Sequence, residues 1–210
     1  MIEAIIFDMD GVLIDSEPLW KKAIINVMKR YGFDFSIEMC NRTKGMRVDE
    51  VIRYWKTELQ ADFDTNKLAK EIVEEVIFLI KQEGKPMLGL SELLEKAKNN
   101  NLKIALASSS PSLIINVVLK KLNITEYFDI VQSAEKEEYG KPHPGVFITT
   151  ATKLEIEPVN CLVIEDSLHG VIAGKAAKMK VIAMPEKKEK KLNQFAIADQ
   201  IVNNLLEIKF

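Results

Sequence analysis

Apolar residues along the chain follow two different periods, and the change between them divides the sequence. The opening run Ile2-Glu3-Ala4-Ile5-Ile6-Phe7 is short and apolar and ends in acids and Gly11, which predicts a buried strand over residues 3–8 running into a loop. From Glu17 to Glu83 the period is helical. Trp20, Ala23, Ile24, Val27 and Tyr31 form one stripe before Gly32, Val48, Val51, Ile52, Trp55 and Leu59 a second, and Leu68, Ile72, Val76 and Ile80 a third. After Gly84-Lys85-Pro86 helices and strands alternate. Helical stripes at Leu90–Ala97, Leu113–Leu122, Val146–Leu154 and Leu168–Lys178 are interleaved with strand-like runs at Leu102–Ala107, Phe128–Val131, Cys161–Ile164 and Val181–Met184. Such alternation predicts a parallel sheet covered by helices on both faces.

The first strand needs neighbours, and only the segment after Pro86 offers them. The expected architecture is therefore an α/β, Rossmann-like core formed by residues 1–15 and 86–210, with an inserted α-helical cap over residues 16–85. A length of 210 residues with 47% hydrophobic content suits one domain plus an insert. With 29 basic and 31 acidic side chains the net charge is −2, so there is no electrostatic footprint for nucleic acid. The longest apolar run, Val76 to Ile80, is far below the ~18 residues of a membrane span. Residues 1–14 lack a basic start and carry acids, which excludes a readable signal peptide. Cys40 and Cys161 lie far apart and have no metal-type spacing. The expectation is a monomeric cytoplasmic protein with reduced thiols, acting on a small molecule, with no nucleic-acid or membrane partner.

In open α/β sheets, ligands bind beyond the carboxyl ends of the strands. Asp8 and Asp10 follow the first predicted strand, Ser108-Ser109-Ser110 the second, Lys141 the third, in a Gly-Lys-Pro-His-Pro loop, and Glu165-Asp166 the fourth. Each has an ordinary structural explanation: a turn for Asp-x-Asp-Gly, a helix N-cap for the serines, a solvated lysine, and an acidic helix start before Ser167. A calcium loop fails because its next ligand position is Val12. Together, four successive strand ends deliver carboxylates, hydroxyls and a cation to one edge. Two like charges ~4 Å apart repel by about 4 kcal/mol at an effective dielectric near 20, so such a cluster calls for a hard divalent cation, and all-oxygen ligands favour Mg2+. Serine hydroxyls, the backbone N–H groups opening the next helix and Lys141 suit a phosphate group.

Phe7-Asp8-Met9-Asp10-Gly11-Val12, Ala107-Ser108, Lys141-Pro142 and Ile164-Glu165-Asp166-Ser167 resemble, in order, the four motifs of the haloacid dehalogenase-like hydrolase superfamily. A helical insert directly after the first motif extends the resemblance over nearly the whole chain. Asp15-Ser16-Glu17-Pro18-Leu19-Trp20, Ser133-Ala134-Glu135-Lys136 and Lys141-Pro142-His143-Pro144 are similar to sugar-phosphate phosphatases, nearest the 2-deoxyglucose-6-phosphate and hexitol-phosphate phosphatases, with β-phosphoglucomutase as a relative. The resemblance implies Asp8 as the nucleophile forming an aspartyl-phosphate, and Asp10 as the acid that protonates the leaving alkoxide and then activates water. It implies Ser108, with Ser109 beside it, and Lys141 as phosphate-binding groups. It implies magnesium held by Asp8, Asp10 through its backbone carbonyl, and Asp166, with Glu165 as a further ligand or as an acid behind it. The second aspartate excludes a dehalogenase, because halide leaves without a proton.

Within the group, the mutase relatives carry a histidine in the hinge and an arginine in the cap loop after Lys-Gly. Here the hinge offers Glu17, Pro18 and Trp20, and the loop Thr43-Lys44-Gly45-Met46-Arg47-Val48 has its arginine one place early. A magnesium-dependent phosphatase of sugar or polyol phosphates is therefore expected, with a β-phosphoglucomutase-like phosphotransferase as the alternative. Lys44, Arg47 and Trp20 are candidate substrate-facing cap residues; the alternative for them is cap core and solvated loop. A non-enzymatic phospho-acceptor also gathers aspartates, a hydroxyl and a lysine at strand ends, but the insert and Asp10 speak against it. His143 and His169 read as structural, the charge run Glu186–Lys191 as a solvated turn or helix face, and Met39, Met46, Met87 and Met184 as packing fillers.

Overall fold

A computed structural model describes residues 1–186 and 193–209. Strands β1 (Ala4–Phe7), β2 (Lys103–Ser108), β3 (Ile130–Ser133), β4 (Cys161–Glu165), β5 (Lys180–Ala183) and β6 (Gln200–Ile201) form one sheet in the order β3-β2-β1-β4-β5-β6. Every pairing is parallel. Ile5 of β1 lies level with Ile104 and Leu162, and Ile6 with Ala105 and Val163. Because side chains alternate across a strand, Ile5, Phe7, Ile104, Leu106, Leu162 and Ile164 fill one face, and Ala4, Ile6, Ala105, Ala107 and Val163 the other. Both faces are buried, which is why these strands read as unbroken apolar runs.

Helices α1 (Glu17–Arg30), α2 (Ile37–Arg42), α3 (Val48–Glu58) and α4 (Thr65–Glu83) lie between β1 and α5 (Leu90–Asn99); α6 (Ser112–Leu122), α7 (Gly145–Leu154) and α8 (Leu168–Ala176) follow. Leu94, Ile114 and Val118 of α5 and α6 cover the Ile5 face, while Phe147 of α7 and Val171 of α8 cover the Ile6 face. The predicted stripes converge: Val27 of α1, Trp55 of α3 and Ile72 and Val76 of α4 join one apolar cluster that continues into the Ile5 face. The chain leaves for these helices and returns along one line. Asp15 N donates to Lys85 O at 2.9 Å, and Met87 N to Leu13 O at 3.0 Å.

Three elements differ from expectation. Helix α2 is not announced by any stripe, since six residues bury only Cys40; Ser36 Oγ caps it by accepting from Met39 N. Strand β3 begins two residues late because Phe128 packs edge-on against Phe7, with ring centroids 6.2 Å apart, instead of joining the sheet. Strand β6 is a two-residue exposed edge with no apolar run to mark it. Among the described residues no helix is long and apolar enough to cross a membrane.

Candidate active site

The loop after β1 folds on itself. Asp8 N donates to Ile164 O, and Met9 O accepts from Val12, Leu13 and Ile14 N, so Met9, Val12 and Leu13 turn into the core while Asp8 and Asp10 line a cavity above the strand ends. Gly11 has φ +73°, and a Cβ there would stand 2.4 Å from Asp166 Oδ2; only glycine fits both the turn and the neighbour.

Three donors hold the Asp10 carboxylate. Oδ1 accepts from Ser16 Oγ at 2.5 Å and from Trp20 Nε1 at 2.8 Å, and Oδ2 from Ser110 Oγ at 2.7 Å. Ser16 stands at the start of α1 but makes no side-chain cap; its hydroxyl is used on Asp10. Ser108 is buried, and its Oγ accepts from Ser110 N at 3.1 Å. Ser109 Oγ donates to the Gly45 carbonyl of the cap loop at 2.9 Å, so it ties cap to core.

Lys141 is fully buried, and its Nζ donates to Asp8 Oδ1 at 2.8 Å, Glu165 Oε1 at 2.7 Å and Ala107 O at 3.1 Å. Burial alone would lower its pKa, but Asp8 and Glu165 outweigh this and hold the ammonium charged well above its ordinary range. Glu165 Oε2 accepts from both Ser167 N and Ser167 Oγ, so both its oxygens are engaged. Ser167 Oγ accepts in turn from Gly170 N, capping α8. A Cβ on Gly170 would lie 1.7 Å from Glu165 Oε1, so α8 can start this close to the carboxylate only through glycine.

Asp8, Glu165 and Asp166 each offer a carboxylate oxygen, and these lie within 4.8 Å of one another. Burial pushes Asp8 up to about 8; Lys141 pulls down, while Glu165 and Asp10 push further up. Burial likewise raises Asp166 well above its ordinary value, against the pull of Lys44. Asp166 Oδ2 is buried, and Lys44 Nζ pairs with it at 2.8 Å. Three buried carboxylates with oxygens this close together fit a hard divalent cation.

The cap supplies the opposite wall. Lys44 Nζ lies 3.6 Å from Glu186, and Lys21 Nζ 3.1 Å from Glu186 and 3.8 Å from Glu17. Burial raises Glu17 to about 7, with Lys44 opposing and Asp10 adding to the rise. Lys44 and Trp20 thus line the cavity, and Trp20 addresses Asp10. Arg47 does not line it. Its guanidinium donates to Ala134 O at 3.1 Å, Glu137 O at 2.7 Å and Asp49 Oδ2 at 3.1 Å, binding the start of α3 to the loop that leads to Lys141. Glu50 Oε1 accepts from Gly140 N in the same joint. Entering the loop one residue early turns that side chain towards the core surface and away from the cavity.

The strand-end residues read from sequence therefore all reach the one cavity, Ser109 with its hydroxyl engaged by Gly45 O, and of the candidate cap residues Arg47 alone does not line it. Sequence reasoning missed the roles of Ser16 and Ser110 as Asp10 donors, that of Lys21 as a wall residue and that of Glu186 as the ion-pair partner of Lys21 and Lys44. The adjacency of Ser16 to the hinge was the available signal; nothing local marks Glu186. Of the charge run only Glu186 is among the described residues; Lys187–Lys191 lie outside them. His169 Nδ1 meets the Lys44 carbonyl at 2.9 Å, and His143 Nδ1 accepts from Gly145 N, both structural contacts.

A model of the family described as haloacid dehalogenase-like hydrolase matches residues 5–184. Hexitol phosphatase B of Escherichia coli (strain K12) is 38% identical, covering 99% of this chain and 94% of that protein. A phosphorylated carbohydrates phosphatase of Thermotoga maritima is 32% identical, covering 84% of this chain and 82% of that one. Among solved structures, a β-phosphoglucomutase from Clostridium difficile aligns with a TM-score of 0.86 at 29% identity, covering 100% and 94% of the two chains. The order of the strand-end residues, the four helices inserted after the first of them and a family match across most of the sequence lead to one conclusion: this chain belongs to the haloacid dehalogenase-like hydrolase family.

Proposed function

We propose that this enzyme is a magnesium-dependent phosphatase of sugar or polyol phosphates that works through an aspartyl-phosphate on Asp8. The observation that carries the reading is a pair of carboxylates from one loop in two different settings. Asp8 sits against a buried cation, and Asp10 is held at the cavity by three donors. Similarity to hexitol phosphatase B and to a carbohydrate phosphatase supports the substrate class.

Asp8 and Asp166, with the backbone carbonyl of Asp10, would hold magnesium, and Glu165 would stand behind them because Lys141 and Ser167 already engage its oxygens. Bound there, the ion supplies charge neutralisation for the ionised Asp8 and the phosphoryl oxygens. Lys141 holds the nucleophile in place, and the Ser108 hydroxyl, whose proton goes to no protein acceptor among the described residues, offers a donor to a phosphoryl oxygen. An Asp8 carboxylate oxygen bonds to phosphorus as the ester P–O bond breaks, and the departing oxygen takes its electron pair and a proton from Asp10. Trp20 Nε1 can only donate, so Oδ1 of Asp10 stays an acceptor and the proton rides on Oδ2, where the Ser110 hydroxyl can turn round. Water then attacks phosphorus, gives its proton to Asp10, and frees phosphate and Asp8.

Phosphate release from a panel of sugar and polyol phosphates with magnesium, with Asp8→Asn as the blank, tests the reading. No release from any member would overturn it. Likeness to a β-phosphoglucomutase favours a second reading, a phosphotransferase, which the same assay would reveal as isomerised product without net phosphate.

A further inference from the structure

We propose that Glu50 is a positioning residue for Lys141: its carboxylate holds the Gly140 amide, so the inserted helix α3 sets the loop that aims the lysine at Asp8. The inference rests on the proposed roles of Asp8 and Lys141, and it adds to them a residue that does not line the cavity. Gly140 and Lys141 are consecutive and both buried. One faces α3, and the other reaches the strand ends. Gly140 N donates to Glu50 Oε1 at 3.0 Å, while Lys141 Nζ donates to Asp8 Oδ1 at 2.8 Å and Glu165 Oε1 at 2.7 Å. A backbone shift at the first bond therefore passes through one residue to the ammonium.

The loop between β3 and α7 leans on this joint. Among the described residues, the backbone hydrogen bonds that Glu137 to Lys141 make beyond residues 134–143 both go to the start of α3. Glu137 O accepts from Arg47 Nη1 at 2.7 Å, and Gly140 N donates to Glu50. Two others, Glu137 N to Ala134 O at 3.1 Å and His143 N to Gly140 O at 3.0 Å, close turns inside the loop. The Glu50 carboxylate is fixed before it meets the loop. Its Oε2 accepts from Arg47 N at 3.2 Å, as in a capping box, and Oε1 lies 3.6 Å from Arg47 Nη2. Space leaves no choice at residue 140, because a Cβ on Gly140 would collide with Glu50 Oε2 and stand 2.9 Å from Arg47 Cγ. A buried amide deprived of this acceptor is costly to leave unpaired, so the loop would move to satisfy it.

The test compares kcat and KM of wild type, Glu50→Ala and Glu50→Gln with magnesium, on the sugar or polyol phosphate that wild type turns over fastest. Amide hydrogen exchange over residues 134–143 is measured beside it in the metal-free proteins. Glu50→Ala should lower kcat by about 10- to 100-fold with KM changed by less than about threefold, because misplacing a group that acts on the transition state leaves ground-state binding intact. Glu50→Gln keeps an acceptor oxygen for the amide and should recover about half of kcat or more. Exchange in the loop should be about tenfold faster or more in Glu50→Ala and near wild type in Glu50→Gln. A joint that only fastens the inserted helices to the sheet would raise KM and leave kcat alone, and that result overturns the inference. So does a Glu50→Gln variant as slow as Glu50→Ala, or loop exchange that Glu50→Ala leaves unchanged. If wild type releases phosphate from no substrate, the phosphatase reading falls by itself, and exchange then decides whether Glu50 holds the loop.

Discussion

The two walls of the cavity are built differently. On the core side, Asp8, Ser108 and Glu165 stand on or directly after adjacent parallel strands whose backbone pairing fixes their spacing, and Lys141 reaches them fully buried. On the cap side, Glu17, Lys21, Lys44 and Trp20 arrive on long side chains from α1 and one loop, and Lys44 crosses to a core carboxylate. A wall set by the sheet ladder admits little adjustment; a wall of paired charges can exchange partners when a ligand enters. In the proposed function, phosphoryl transfer belongs to the first wall and discrimination among substrates to the second.

Removing the proposed nucleophile should show the contrast at its largest. Asp8→Asn is expected to lower phosphate release by about 10^4-fold or more while the chain stays folded, as for nucleophile removal in other enzymes; circular dichroism beside the turnover assay checks both halves. On the same wall, Gly170→Ala forces a methyl group into the space of Glu165, and overpacking of this kind costs about 1–3 kcal/mol. A lowered melting temperature is expected, and an unchanged one would mean that α8 yields more easily than the core wall should.

On the cap wall the effects should be smaller and more selective. Trp20→Phe removes the donor to Asp10 Oδ1 and keeps the ring, so kcat should fall by about 10- to 100-fold with KM little changed. An equal rise in KM would move Trp20 from positioning the acid to binding substrate. Arg47→Ala strips donors from two backbone carbonyls at the cap–core joint and should cost about 1–3 kcal/mol of stability, read by urea unfolding.

Magnesium binding should separate the walls by pH. In the folded, metal-free state Asp8 is raised to about 8, so below that pH it carries a proton that a cation must displace. Apparent magnesium affinity is therefore expected to climb by at least about tenfold per pH unit between pH 6 and 8, with one proton released from Asp8 and a further one from Asp166, which burial also raises. Calorimetry in buffers of different ionisation heat measures the proton count. A flat profile would mean that Asp8 is already ionised.

Much of this was readable along the chain because both regions carry strong local signals. β1, β2 and β4 lie near their expected positions, since strands buried on both faces leave continuous apolar runs, and the three long cap helices follow their stripes. Phe128 misled because an apolar residue that plugs the core looks, in one dimension, like the start of a strand. Ser16 and Ser110 were missed as partners of Asp10 for a related reason: a serine at a helix start reads as a cap, and only geometry shows that its hydroxyl points elsewhere.

The sequence by itself determined the parallel sheet, the helical stretch after the first strand, and the placing of Asp8, Asp10, Ser108, Lys141 and Glu165-Asp166 at strand ends, because strands and their ends follow from local periodicity. Only the tertiary structure decided how the long charged side chains pair. Arg47 went to the core surface, Lys44 to Asp166, and Glu17 to the cavity wall beside Lys21, since a flexible side chain near several partners is assigned by distances that sequence spacing does not contain.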